Sequence, residues 1–158
     1  MLDEPLIFFE MLEFSLATAL NREKKVELVR KDGHMNFVIK DIRTFIGAKN
    51  YDESRTFYQE IGFSEIIIDP KMSLFKVNEK FGFYLQDYYV KDWVHNSMVF
   101  LEVDDVDLCE KELLALGLHN KYKYVRFTEI KTFDHGRELF MHDPSGVLWH
   151  FCQFFDHG

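Results

Sequence analysis

One histidine near the end of the chain lies in an aromatic and apolar run, and its neighbours determine what chemistry it supports. His150 belongs to the run Val147–Phe151, directly after the turn sequence Asp143-Pro144-Ser145-Gly146. An imidazole at such a place can ligate a metal, contact a ligand or pack in a core. Cys152 follows two residues later, so both side chains share one face of a strand and permit a thiol–imidazole pair. Nucleophilic catalysis by that pair also needs a third, orienting residue, and the sequence indicates none.

The turn before His150 predicts a β-hairpin. Pro144 presets the backbone of the second turn position, Asp143 can bond its own backbone, and Gly146 tolerates a left-handed conformation. We therefore expect two strands on either side of the turn, Leu139–Met141 and Val147–Phe154.

Composition limits the classes of partner. The chain has 158 residues, 47% hydrophobic and 16% aromatic content, and a net charge of −8. This predicts one packed domain that binds neutral or cationic ligands rather than nucleic-acid phosphates. The two cysteines, Cys109 and Cys152, indicate buried thiols in a reducing compartment. No apolar run approaches the roughly 18 residues of a membrane span, and the acidic start at Asp3 and Glu4 is unlike a signal peptide, so we expect a cytoplasmic protein without membrane contact.

The first part of the chain predicts a helical extension, residues 1–38, ahead of the main domain at 39–158. Residues 5–31 carry apolar side chains at helical spacing, namely Leu6, Phe9, Leu12, Leu16 and Leu20. Two interpretations stand: a helix that mediates dimerisation or covers a site, or a helix that only packs on the domain. The segment Gly33-His34-Met35 is also consistent with a junction or an internal start.

After residue 39 the order of predicted elements occurs twice. Each half predicts a strand, a helix ending in glycine, and then further strands, and the two glycines, Gly62 and Gly117, lie 55 positions apart. The same shift places Arg43 on Met98, and the two hairpins align with Gln86 on His150. This predicts an α+β domain built from two βαβββ modules.

Three motifs in this order resemble the vicinal oxygen chelate superfamily of glyoxalases, extradiol dioxygenases and bleomycin-resistance proteins. They are Asn50–Tyr58 followed by Ile61–Phe63, then Val103–Asp107, and finally Gly136–Phe140 followed by Asp143–Gly146. The resemblance covers residues 39–155 and is greatest to the bleomycin-resistance type. It implies a curved mixed sheet around a cleft, often completed by a second subunit, and therefore a homodimer.

Metalloenzymes of this superfamily place ligands on the first and fourth strand of each module. The resemblance assigns those positions here to Arg43, Gln86, Met98 and His150. Arg43 is a permanent cation and Met98 a soft thioether, so this set favours no metal and no other cofactor. A divalent metal on His150 and Gln86 is the alternative.

Other residues are expected to contact a ligand. Tyr88, Tyr89 and Trp93 lie in a predicted polar loop from Asp87 to Asn96, where aromatic rings can stack on a flat or cationic molecule. His135 replaces an aromatic residue of the superfamily motif and makes that edge of the cleft titratable.

Three functions remain open from the sequence. The first is a metal-free, non-catalytic protein that sequesters an aromatic or cationic small molecule, as bleomycin-resistance proteins do. The second is a metal-dependent enzyme similar to lactoylglutathione lyase or a dioxygenase. The third is an interaction module in which the N-terminal helix mediates assembly. Whether the protein is an enzyme is left undecided, with the binding function preferred.

Overall fold

The computed structural model describes residues 38–155, which form two mixed sheets and four helices. The strands are β1 (Phe45–Gly47), β2 (Ser64–Asp69), β3 (Met72–Lys76), β4 (Gly82–Gln86), β5 (Met98–Glu102), β6 (Arg126–Phe127), β7 (Lys131–Thr132), β8 (Gly136–His142) and β9 (Leu148–Phe154). The helices are α1 (Tyr51–Glu60), α2 (Lys91–Asn96), α3 (Val106–Ala115) and α4 (Leu118–Lys121). No helix in this part of the chain is long and apolar enough to cross a bilayer.

The two sheets share one topology. Their strand orders are β1-β4-β3-β2 and β5-β9-β8-β6, with β7 also pairing with β8. In each sheet the first strand of the module runs parallel to the last, and the remaining pairs are antiparallel. This repetition confirms the predicted α+β fold of two βαβββ modules. The modules form two separate sheets rather than one.

Strand register changes one predicted correspondence between the modules. Phe45 pairs with Tyr84 on β4, and Phe100, which lies 55 positions after Phe45, pairs with His150 on β9. Tyr84 is therefore the counterpart of His150. Gln86 lies two residues further along β4.

Local signals define the helix starts. Asn50 caps α1 by accepting the amide of Glu53, and Asp105 caps α3 by accepting the amide of Leu108. The sequence predicts the first strand from Ile42 to Ala48, and the observed strand is shorter because only Phe45–Gly47 pairs with β4.

Two other segments also differ from their predictions. The predicted loop at 87–96 contains α2. Residues 122–129 alternate in sequence as a strand does, but they contain only the two-residue strand β6. The predicted helix at 5–31 lies outside the described residues.

The core lies where the inner faces of the two sheets meet. Phe83 of β4 contacts Trp149 of β9 with ring centroids 5.4 Å apart, and both rings contact Tyr58 of α1. All three side chains are buried. Since the inner faces contact each other, the opposite face of each sheet points away from the shared core.

A buried carboxylate joins the two modules. Asp143 Oδ1 accepts the backbone amides of Ser145, Gly146 and Val147 at 2.7–2.9 Å, and Oδ2 accepts the Tyr58 hydroxyl at 2.6 Å. Burial raises the pKa of Asp143 in spite of these four hydrogen bonds. Gly146 closes the turn at φ +104°, a conformation that suits glycine.

We expect Asp143→Ala to lower the free energy of unfolding by about 3 kcal/mol, because three amides and one hydroxyl lose their acceptor inside the core. Tyr58→Phe is the matched control; it removes one of these hydrogen bonds and should cost about 1 kcal/mol. Urea denaturation measures both. Equal losses in the two variants would show that the carboxylate does not hold the turn.

Candidate functional site

Strand alternation gives the second sheet an open face opposite the core. We call this the second open face; it comprises Met98, Phe100, Glu138, Phe140, His150, Cys152 and Phe154. Met98 is 68% exposed and Phe100 is 50% exposed. Large apolar side chains are thus displayed together on the surface of a single chain, as is typical of a site that binds a partner or ligand.

His150 lies among aromatic rings on this face. The Phe140 ring meets it edge-on with centroids 4.7 Å apart, and the Phe100 ring lies 6.3 Å away on the neighbouring strand. Phe154 extends the aromatic surface, 5.8 Å from Phe100. The histidine is therefore a polar group within an aromatic wall, with 22% of its side chain exposed.

Glu138 connects two histidines. Its carboxylate oxygens lie 2.7 Å from His135 Nε2 and 3.0 Å from His150 Nδ1. Burial opposes ionisation of this carboxyl, but the hydrogen bonds from the two imidazoles outweigh it and lower the pKa of Glu138. An ionised carboxylate only accepts, so both imidazole nitrogens donate to it.

This arrangement fixes the tautomer of His150. Because Nδ1 donates to Glu138, Nε2 of a neutral ring is an acceptor, and that buried atom has no hydrogen-bond partner within the described residues. His150 Nε2 is therefore an unpaired acceptor just beneath the surface of the second open face.

Glu138 is the residue that sequence analysis did not identify. Its position opposite Cys152 in the β8–β9 ladder places it on the same face as His150. The sequence does show that Glu138 and Phe140 are two residues apart, so both side chains point to the same face of a strand. This spacing identifies Glu138 as a site residue only when it is known which face of the strand points away from the core.

The thiols do not support nucleophilic chemistry. Burial raises the pKa of Cys152, and the charges of Glu138 and Glu102 raise it further. Burial and Glu112 raise the pKa of Cys109 to about 11. A thiol beside two carboxylates remains protonated, so no thiolate–imidazolium pair forms with His150.

The four superfamily positions do not converge in one chain. Arg43 and Gln86 belong to the first module, and Met98 and His150 to the second. Arg43 pairs with Asp41 at 2.5 Å, and Gln86 Nε2 lies 3.9 Å from the Met72 sulfur. The Arg43 guanidinium cannot ligate a metal, and Gln86 lies on a different sheet from His150. This set therefore does not form a metal site within the described part of one chain.

The first sheet has its own open face. Phe45 stacks on Tyr84 with centroids 4.9 Å apart, and the Arg43 guanidinium lies 6.0 Å from the Tyr84 ring. Ile66, Met72, Leu74 and Gln86 share this face, which we call the first open face. It is also aromatic and apolar.

The predicted loop aromatics lie in the connection between the modules. Tyr88 and Trp93 are exposed and 6.5 Å apart, whereas the Tyr89 hydroxyl bonds His95 Nε2 at 3.1 Å. Tyr88 and Trp93 are thus available to a ligand, and Tyr89 is engaged within the protein.

A separate recess of about 1120 Å³ lies on the inner side of the second sheet, between α3 and the β3–β4 hairpin. Side chains from Phe63, Leu101, Leu113 and Trp149 line it, and none of the predicted site residues does. Phe100 of the second open face also lines the recess, so the recess adjoins that face.

Solved structures share this fold. A bleomycin-binding protein from Streptomyces verticillus, complexed with copper(II)-bleomycin, is 17% identical with a TM-score of 0.60, over 75% of this chain and all of that one. An antibiotic-binding protein from a Streptomyces species is 20% identical with a TM-score of 0.60, and the match covers 77% of this chain and all of that one. A lactoylglutathione lyase from Agrobacterium tumefaciens is 15% identical with a TM-score of 0.56, and the match covers 73% of this chain and 94% of that one. No protein-family model and no curated protein matches the chain. These similarities confirm the glyoxalase/bleomycin-resistance fold.

We expect both cysteines to react slowly with a thiol reagent in the native protein at pH 8. A pKa of about 11 leaves roughly 0.1% thiolate at Cys109, about 100-fold less than in an ordinary thiol. Iodoacetamide labelling followed by mass spectrometry measures the rate, and urea should release two reactive thiols per chain. One rapidly labelled cysteine in the native protein would contradict the buried, neutral state.

Proposed function

We propose that this protein is a non-catalytic small-molecule-binding protein that sequesters an aromatic or cationic ligand. One observation carries the proposal: among the described residues, each module has an aromatic, apolar sheet face on the side opposite the core. Exposed rings such as Phe100 and Phe154 offer stacking surfaces, and the net charge of −8 favours cationic molecules. The fold is shared with proteins that bind bleomycin and other antibiotics.

The proposed cleft requires two copies of the chain. Phe83 and Trp149 bring the inner faces of the two sheets together, so the open faces of one chain point apart. A cleft with two aromatic walls then forms when the first open face of one copy lies opposite the second open face of another. The proposed assembly is a homodimer with two such clefts.

A metal-dependent lyase or oxidoreductase that uses His150 and Gln86 has less support. The two residues lie on different sheets, and Gln86 is two positions away from the counterpart of His150. The lyase of the same fold supports that alternative at the level of fold only.

Ligand binding is tested by titrating bleomycin and a panel of flat aromatic cations while following tryptophan fluorescence. We expect saturable binding, weakened about 10-fold in Phe100→Ala because one stacking ring is lost from the wall. Leu114→Ala is the matched control; this side chain on α3 is exposed to a similar degree but lies on neither open face. No fluorescence change with any compound of the panel, or an equal loss of affinity in both variants, would contradict the proposed function.

Assembly is tested by light scattering on the full chain. We expect a dimeric mass that shifts towards the monomer in Met98→Lys, since a charge on the second open face opposes its burial. Leu114→Lys should remain dimeric. Deleting residues 1–34 separates this interface from the helical extension: an unchanged mass excludes an assembly role for the extension, and a monomer would refute assembly through the open faces.

A further inference from the structure

Three side chains at one end of the second open face bring metal-ligating atoms together. A nitrogen of His135, a carboxylate oxygen of Glu138 and the sulfur of Cys152 all lie within 4.8 Å of one another. The group comes from β8, β9 and the residue just before β8. It includes neither Gln86 nor Met98, so it is a different set from the superfamily positions considered above.

We propose that His135, Glu138 and Cys152 bind a divalent transition-metal ion, with His150 as a positioning residue for the carboxylate. The set offers one imidazole nitrogen, one carboxylate oxygen and one thiolate sulfur. A sulfur ligand together with nitrogen selects Zn²⁺ or Co²⁺ over Mg²⁺ and Ca²⁺, which prefer oxygen. Three protein ligands leave a fourth position of a tetrahedral ion open.

The distances require only small adjustments. Bonds of about 2.0–2.3 Å to a tetrahedral ion place its ligand atoms roughly 3.5 Å apart. His135 Nε2 and the Glu138 oxygen are now 2.7 Å apart and share a hydrogen bond, which an ion would replace. The His135 side chain is 47% exposed, so a small shift of its ring along Phe133 moves it away from Glu138 without entering the core.

The surrounding structure holds the ligands in place. Glu138 and Cys152 are directly paired in the β8–β9 ladder, so the sheet fixes their separation. The His135 ring stacks on Phe133 at 5.6 Å and 9°, with Phe154 at 5.8 Å. His150 Nδ1 bonds the second carboxylate oxygen and orients it, as outer-shell groups do at many metal sites.

The charge at this place favours a cation. Glu138 is buried and ionised, and Glu102 pairs with Cys152 from the neighbouring strand. The negative potential that keeps the thiol protonated is attractive to a divalent ion. Binding exchanges one thiol proton for the ion, which forms a bond to the thiolate sulfur, and no oxidation is involved.

The site is tested with Co²⁺, because its visible spectrum identifies both tetrahedral geometry and a sulfur ligand. Titration of the full chain after chelator treatment should give one Co²⁺ per chain, with a thiolate-to-metal charge-transfer band that Zn²⁺ abolishes by competition. Cys152→Ser should lose that band, and Glu138→Gln and His135→Ala should weaken binding at least 10-fold.

Matched controls separate this cluster from other ligands in the chain. Cys109→Ser and His119→Ala should leave the band and the affinity unchanged. His150→Gln should reduce the affinity about 10-fold and leave the Co²⁺ spectrum unchanged, whereas His135→Ala should also shift the spectrum, because a ligand of the ion is then replaced. Circular dichroism of each variant verifies that it is folded.

The absence of a charge-transfer band in the unmodified protein, or a band that survives in Cys152→Ser, would overturn the metal proposal. Loss of the band in Cys109→Ser would do the same. The result is independent of the proposed binding function, because the fluorescence titration with aromatic cations is done on chelator-treated protein.

Discussion

The fully buried carboxylate of Asp143 is the constraint on which the rest of the structure depends. A charge in this position is tolerated only when every lone pair meets a donor, and its donors come from both halves of the molecule. Three are amides of its own turn, and the fourth is the hydroxyl of Tyr58 on α1, which is 85 residues away in sequence. Ser145 reinforces the link by accepting the Lys49 amide at 2.9 Å. The hydrogen bonds of Asp143 therefore stabilise both the turn and the contact between the two modules.

The candidate site follows from that constraint. Fixing the turn fixes the register of β8 against β9, and the register places Glu138 beside Cys152 and Phe140 beside His150. At the other end of the hairpin, Gly136 lies so close to the Gln153 carbonyl that a Cβ would collide with it. The close approach brings His135 to the edge of the sheet, where it reaches Glu138. Histidines, carboxylate and thiol thus converge because the backbone is held at both ends.

Local sequence signals predicted most of the fold. The turn at 143–146 and the repeated order of elements each depend on neighbours in sequence, and each is found in the structure. For the helix starts the sequence allows Asn50 or Asp52 and Asp104 or Asp105, and the structure has Asn50 and Asp105 as the caps. Two features were beyond such signals. The offset between Gln86 and His150 arises because Gly82 is the first residue of β4, whereas Gly146 lies in the turn before β9, so the two glycines are not equivalent positions. The outward parity of β8, and with it the role of Glu138, depends on Phe83 meeting Trp149, a contact between distant segments.

The contact of Trp149 with the first module has a consequence for how the chain folds during synthesis. The first sheet is complete once Gln86 has been made, and the rings of Tyr58, Phe63 and Phe83 lie on its core side. Their partner from the second module, 5.4–5.9 Å away in the finished protein, belongs to the last strand of the described chain. Contacts so distant in sequence form slowly, because a long loop must close first. A nascent chain therefore exposes an aromatic surface for more than sixty residues of elongation, an interval in which a chaperone has a defined apolar face to protect.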